Sequence, residues 1–140
     1  MKVHSIRKQV YYDDTDGGGV VYHARYLNYL DHARSDFLQR LGFSLQVLQR
    51  DHGIFFAVTA VEIKYLRPAR LSDELEVSAV LANFSNAGMS FNQSVLRLRG
   101  NDAGPELLVE GRIELACLDS VRFRPVRIPK PIREKLSGAD

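Results

Sequence analysis

Tyr22-His23-Ala24-Arg25-Tyr26-Leu27-Asn28-Tyr29-Leu30-Asp31-His32-Ala33-Arg34-Ser35-Asp36-Phe37-Leu38-Gln39-Arg40-Leu41-Gly42 is the longest helical pattern in the chain. Tyr26, Leu30, Ala33, Phe37 and Leu41 are spaced four, three, four and four apart, which puts them on one helix face. Arg25, Asn28, Asp31, Arg34 and Gln39 populate the other faces. Gly42 stands where a C-terminal cap is expected. Ser44 is placed to cap a second, short helix that runs through His52 and ends at Gly53.

The flanking segments read as strands. Val3 to Tyr12 forms a first one. Ile54 to Val58 is a continuous apolar run, as in a strand buried on both faces, and Val61, Ile63 and Tyr65 then alternate with Glu62 and Lys64. Leu75, Val77, Ala79 and Leu81 alternate with Glu74, Glu76 and Ser78, a period of two. Met89 to Arg99 and Leu107 to Leu118 complete the set, separated by the turn Gly100 to Pro105. The tail holds Pro125, Pro129 and Pro131, which predicts an extended path. One strand, a long helix and four more strands predict an α+β layer, one curved sheet against one helix, in a single domain over residues 1–140.

Composition narrows the function classes. A chain of 140 residues can bury a core without staples. The net charge of +2 does not by itself suggest nucleic acid. Charge is uneven, however: Arg122, Arg124, Arg127, Lys130, Arg133 and Lys135 face one acid, Glu134, over the tail. That is either a solvated basic tail or a patch for an anionic ligand. The lone Cys117 alternates with Leu115 and Ile113 and reads as a small buried hydrophobe in a reducing, cytoplasmic setting. Met1 to Val10 lacks an apolar signal core, and no segment has the length of a transmembrane span.

The chemistry concentrates between Asp13 and His23. Asp13, Asp14 and Asp16 precede Gly17-Gly18-Gly19 and a helix start. Three successive glycines suggest a positive φ or a close backbone approach. Unpaired N–H groups at a helix start can stabilise an oxyanion, and a neighbouring carboxylate can act as general base or nucleophile. Plain capping carboxylates in a turn are the competing explanation. A calcium loop fails, because its fifth and twelfth positions would be Gly18 and Arg25. Zinc lacks a second nearby His or Cys, and no serine-hydrolase elbow, Walker A or dinucleotide fingerprint occurs.

Val10-Tyr11-Tyr12-Asp13-Asp14-Thr15-Asp16-Gly17-Gly18-Gly19-Val20-Val21-Tyr22-His23-Ala24-Arg25-Tyr26 strongly resembles the signature of the 4-hydroxybenzoyl-CoA thioesterase family of hotdog proteins, nearest its Tol–Pal-associated acyl-CoA thioesterase branch. Phe43-Ser44 and Tyr65-Leu66-Arg67-Pro68-Ala69-Arg70-Leu71-Ser72-Asp73 extend the resemblance from about Val3 to Pro131. It implies a hotdog fold, a long central helix wrapped by a five-stranded antiparallel sheet. It also implies subunits paired edge to edge as dimers or dimers of dimers (homotetramers), with active sites at the interface.

The resemblance implies that Asp16 is the catalytic carboxylate and that the His23 backbone N–H polarises the thioester carbonyl. The His23 side chain would bind or orient substrate. Gly19, Val20, Tyr22, Tyr26, Arg67 and Arg70 would line the substrate. The expected substrate is a short- or medium-chain, or aromatic, acyl-CoA, with acyl carrier protein as another possible donor. No metal and no cofactor beyond the coenzyme A of the substrate are expected, and no nucleic-acid partner. This sequence departs from relatives that grip the coenzyme phosphates with basic residues before the fourth strand, because Ser85 to Ser90 carries no charge. A hotdog hydratase or dehydratase and a non-catalytic acyl-CoA binding module are the competing functions.

Overall fold

The computed structural model describes residues 3–100 and 102–139; Met1, Lys2, the turn residue Asn101 and Asp140 lie outside them. The elements are β1 (His4–Gln9), α1 (Arg25–Arg40), α2 (Leu45–His52), β2 (Ile54–Tyr65), β3 (Glu74–Phe84), β4 (Gly88–Arg97), β5 (Glu106–Asp119) and α3 (Lys130–Ala139). The five strands form one sheet of order β1-β3-β4-β5-β2, and every pairing is antiparallel. The α+β architecture expected from the sequence is present, with three helices in place of the one or two anticipated.

Helix α1 packs on β1, β3 and β4 through its apolar face. Tyr26, Leu30, Ala33 and Phe37 are buried as their spacing predicts, and Tyr29 and Leu38 join them. Each fully buried large side chain of this kind contributes about 1.5–3 kcal/mol. The helix comes close to the sheet at Gly111, where an added Cβ would stand 3.1 Å from Leu30 Cδ1. Strand β3 buries Leu75, Val77, Ala79 and Leu81 and leaves the intervening residues less covered, as its period of two requires. The two short-helix signals also hold: the Ser44 hydroxyl accepts the Val47 N–H at 3.2 Å, and Gly53 closes α2.

Three expectations change. Arg34, assigned to an outward face, is buried at 6% exposure, because Gln93 on β4 accepts its Nη1 at 2.9 Å beneath the helix. The Ile54–Val58 run is not covered on both faces: Ile54 is buried but Val58 is exposed, since β2 is an outer strand of the sheet. The tail is not extended throughout. It ends in α3, and Ile128, Ile132 and Leu136, four residues apart, are fully buried in the core. Among the described residues no helix is long and apolar enough to cross a membrane.

Candidate active site

The Asp13–His23 segment follows the end of β1 and is held at both flanks. The Val10 N–H donates to the Asp73 carbonyl at 2.9 Å, and the Ser72 N–H donates to the Val10 carbonyl at 3.0 Å. A single 3-10 turn, Tyr12–Asp14, follows. Asp14 is buried. Its Oδ2 accepts the Tyr11 N–H at 2.9 Å, and Arg25 Nε lies 3.4 Å from its Oδ1. Arg25 also donates to the Asp13 carbonyl at 3.0 Å, and the Tyr22 N–H donates to the Asp14 carbonyl at 2.9 Å. Asp14 therefore fastens the loop to the start of α1. Beside it, the buried Tyr29 hydroxyl has no partner in hydrogen-bonding geometry among the described residues. Burial first, and then the Asp14 carboxylate, hold its pKa far above the usual phenol value.

Asp16 opens a tight hairpin. Its N–H donates to the Val20 carbonyl at 2.9 Å, and Thr15 bridges Val21. Gly19 turns the chain at φ 79, a conformation that residues with a Cβ rarely adopt. The hairpin is latched to the 69–71 segment: the Val21 N–H donates to Ala69 at 2.9 Å and the Leu71 N–H to Gly19 at 3.2 Å. The Asp16 side chain is exposed, and its Oδ1 accepts the Gly18 N–H at 2.7 Å. Among the described residues nothing engages Oδ2. The three glycines thus do different work: Gly19 supplies the positive φ, and Gly18 supplies the donor that aims the carboxylate.

His23 follows the hairpin on the approach to α1. Its ring is exposed and packs on Tyr22, with ring centroids 4.6 Å apart. Its carbonyl accepts the Tyr65 hydroxyl at 2.9 Å, and among the described residues no acceptor engages its N–H. One carboxylate with a free oxygen and one unpaired N–H ahead of a helix are the two parts that water-dependent acyl transfer requires.

The other expected positions divide. Gly19, Tyr22 and Arg70 are exposed around the hairpin, Val20 is half-buried, and Val20 bridges Arg70. Tyr26 is buried, and its hydroxyl accepts the Ala69 N–H at 2.9 Å, so it braces the site from behind. Arg67 turns toward Glu106, with Nε 3.5 Å from the carboxylate. Two residues to which the sequence reading gave no site role shape the region. Tyr65 ties β2 to the His23 backbone. Arg97 fastens the 68–73 segment by bonding Asp73 at 2.9 Å, Glu106 at 2.6 Å and the Pro68 carbonyl. Tyr65 and Asp73 close the second quoted motif, which was the available signal. Arg97, on a distant strand, left none.

Three surface cavities, of about 570, 250 and 530 Å³, are lined by neither Asp16 nor His23. The first occupies the outer sheet face among Ser5, Lys64, Glu76, Asn92 and Arg112. Cys117 is fully buried, and burial pushes its thiol up to about 11, so it is no nucleophile at neutral pH. Among the described residues no group of three His, Cys, Asp or Glu side chains is arranged to hold a metal ion.

Residues 10–136 match the model of the thioesterase-like superfamily. The chain belongs to that family. The acyl-CoA thioesterase YbgC of Haemophilus influenzae is 35% identical over 125 residues, covering 89% of this chain and 88% of that one. A crystal structure of a probable thioesterase from Bartonella henselae superposes with a TM-score of 0.82 at 32% identity, over 91% of this chain and 100% of that one. The hypothetical protein TT1821 of Thermus thermophilus superposes with a TM-score of 0.86 at 34% identity, over 98% of this chain and 99% of that one. The thioesterase-like fold, the hotdog arrangement implied by the Asp13–His23 motif, is therefore the fold of this chain.

Proposed function

We propose that this member of the thioesterase-like superfamily hydrolyses an acyl-CoA, with Asp16 as general base or nucleophile and the His23 backbone N–H as oxyanion donor. The observation that carries the reading is the Asp16 carboxylate, which one N–H donor aims and leaves with a free oxygen, at the turn that leads to the unpaired His23 N–H. The thioester carbonyl would rest on that N–H. Attack by water, its proton passing to Asp16, or by Asp16 itself would give a tetrahedral oxyanion, and its collapse would release the thiol and, finally, the free acid. In this reading His23 and Tyr22, whose rings pack together, would flank this position, and Gly19, Val20 and Arg70, the last two joined by a β-bridge, would form the rim along which the substrate lies. The YbgC relative, named an acyl-CoA thioesterase, supports this donor class. The pantetheine arm is shared with acyl carrier protein, so that donor belongs in the same assay. The unpaired Cys117 is the basis for placing the enzyme in the reducing cytoplasm.

The working form in this reading is a homodimer paired through β2, alone or doubled into a tetramer. Among the described residues no strand pairs with the β2 edge opposite β5, and β2 exposes Val58 (48%), Val61 (44%) and Tyr65 (47%). None of the three cavities reaches Asp16, so a second subunit is the natural source of the missing pocket wall.

Thiol release from short, long and aromatic acyl-CoAs and from acyl carrier protein thioesters, wild type beside Asp16→Asn, tests the reading. We expect kcat to fall roughly 10²-fold or more in the variant, the scale of a lost base or nucleophile. Near wild-type turnover by Asp16→Asn would remove Asp16 from the mechanism.

A further inference from the structure

Strand β2 is an outer strand, and β3 lies beyond β5 and β4 in the sheet order, so residues 66–73 must cross the ends of both strands to join them. This crossing strap is anchored on the way. The Leu66 and Arg67 N–H groups both donate to the Leu108 carbonyl of β5, at 2.8 and 3.1 Å. The strap in turn carries the hairpin that bears Asp16, through Val21 on Ala69, Leu71 on Gly19 and the Val20–Arg70 bridge. The placement of the Asp16 carboxylate is therefore inherited from the strap.

Arg97 holds the strap where it passes β4. It is the last residue of that strand, and its register partners are Leu75 on β3 and Glu106 on β5. Its Nε donates to Asp73 Oδ2 at 2.9 Å, its Nη1 to Glu106 Oε1 at 2.6 Å and its Nη2 to the Pro68 carbonyl. Acceptors in three directions suit the rigid guanidinium fork and not the compact ammonium of a lysine. The Arg97, Asp73 and Glu106 side chains are only 20–22% exposed, so solvent screens these pairs less than surface ones. Asp73 Oδ2 also accepts the Arg70 N–H at 2.8 Å, and the Asp73 N–H donates to the Arg70 carbonyl at 3.0 Å. Inside this tight turn Ser72 is bent to φ 71, a left-handed conformation that is costly for a residue with a Cβ. Strain of this kind persists only where the surroundings over-determine it. The Arg97–Asp73 bond supplies that constraint.

We infer that Arg97 is a positioning residue for the proposed hydrolysis. It fixes Asp73, Asp73 keeps Ser72 left-handed, and the strap so shaped sets the hairpin of Asp16. The inference rests on the acyl-CoA reading above. Among the described residues Arg97 forms no hydrogen bond or ion pair with Asp16 or His23, so its influence runs through the backbone of the strap. Without the fork Ser72 relaxes toward negative φ, and Arg70 and Leu71, which carry the hairpin, move with it. A displacement of about 1 Å is enough to slow a reaction roughly 10²-fold.

The test compares wild type, Arg97→Gln, Arg97→Lys, Ser72→Gly and the double variant Arg97→Gln/Ser72→Gly. Two quantities are read: thiol release from acyl-CoA, and hydrogen exchange of the Gly18, Val21 and Leu71 N–H groups without substrate. We expect kcat to fall about tenfold or more in Arg97→Gln, with KM within about twofold, as for a group that aims the reacting carboxylate. Exchange at the three N–H groups should quicken about tenfold, beyond any change in the core of β3 and β4. Arg97→Lys keeps the charge, secures a folded comparison and should lose nearly as much kcat. Glycine adopts φ 71 without strain, so Ser72→Gly alone should match wild type, and the double variant should recover kcat and exchange to within about threefold. Wild-type kcat in Arg97→Gln, a loss carried by KM, or exchange that quickens equally throughout the chain overturns the inference. So does full activity in Arg97→Lys, which would assign the effect to charge alone. No recovery in the double variant overturns the route through Ser72. Because exchange is read without turnover, the stated exchange pattern in a protein that releases no thiol would sink the Asp16 reading and leave the hold of Arg97 on the hairpin standing. An Asp16-dependent enzyme indifferent to Arg97→Gln would do the reverse.

Discussion

The sheet has two outer strands, and they finish their open sides differently. Strand β1 has six residues, His4-Ser5-Ile6-Arg7-Lys8-Gln9, with positive charge in the middle. Short length and cationic side chains are how soluble proteins keep an edge from pairing. Strand β2 has twelve residues, and its only charged ones are Glu62 and Lys64. It exposes valines and a tyrosine, and its Tyr65 hydroxyl holds the backbone of His23. One edge is short and charged. The other is long, apolar and coupled to the reactive loop, which is what a surface built to receive a second copy requires.

The most severe way to break this contrast is to charge the β2 edge. Val58→Lys/Val61→Lys should convert the assembly to monomer by light scattering and lower thiol release by roughly 10²-fold, since unpaired charges in an interface cost several kcal/mol. A fully active monomer would show that the edge has another purpose. Gly111→Ala probes the sheet beneath α1. The new Cβ meets Leu30 Cδ1 at 3.1 Å, and overpacking of this sort costs roughly 1–3 kcal/mol in urea unfolding, with the oligomeric state unchanged. Tyr65→Phe sharpens the coupling. Loss of its bond to the His23 carbonyl should lower kcat/KM about fivefold, near 1 kcal/mol, while unfolding stability holds. A Tyr65→Phe enzyme with unchanged kcat/KM would uncouple β2 from the reactive loop. On the short, charged edge, Arg7→Gln removes one charge opposite Glu76 and should cost no more than about 0.5 kcal/mol, with oligomeric state and activity unchanged.

Much of this was legible in local pattern. The α1 face, the caps at Ser44 and Gly53, the alternation of β3 and the Asp13–His23 loop all depend on neighbours within a few residues, and the structure places them as read. What failed depends on partners far along the chain. Arg34 is charged and reads as exposed; it is buried because Gln93, fifty-nine residues later, accepts a hydrogen bond from it. The prolines of the tail argued for extension, yet Pro131 falls in the first turn of α3, where a missing N–H costs nothing. The spacing Ile128, Ile132, Leu136 was the signal that those prolines masked. The apolar run of β2 correctly marked a strand, but which of its surfaces is covered depends on its place in the sheet order.

That sheet order also sets a timetable for biosynthesis. Strand β2 ends at Tyr65, and the strand that pairs with it, β5, is complete only at Asp119. At about 5–20 residues per second a ribosome needs roughly 3–10 s to supply the intervening chain. For that interval Ile54 to Tyr65, the most apolar strand in the protein, has neither side engaged. Slower growth lengthens the interval and lower temperature weakens the hydrophobic attraction, so cooling acts on both terms in opposite directions. The yield of soluble enzyme should therefore depend on the speed of elongation through residues 66–119 more than on the final stability of the fold.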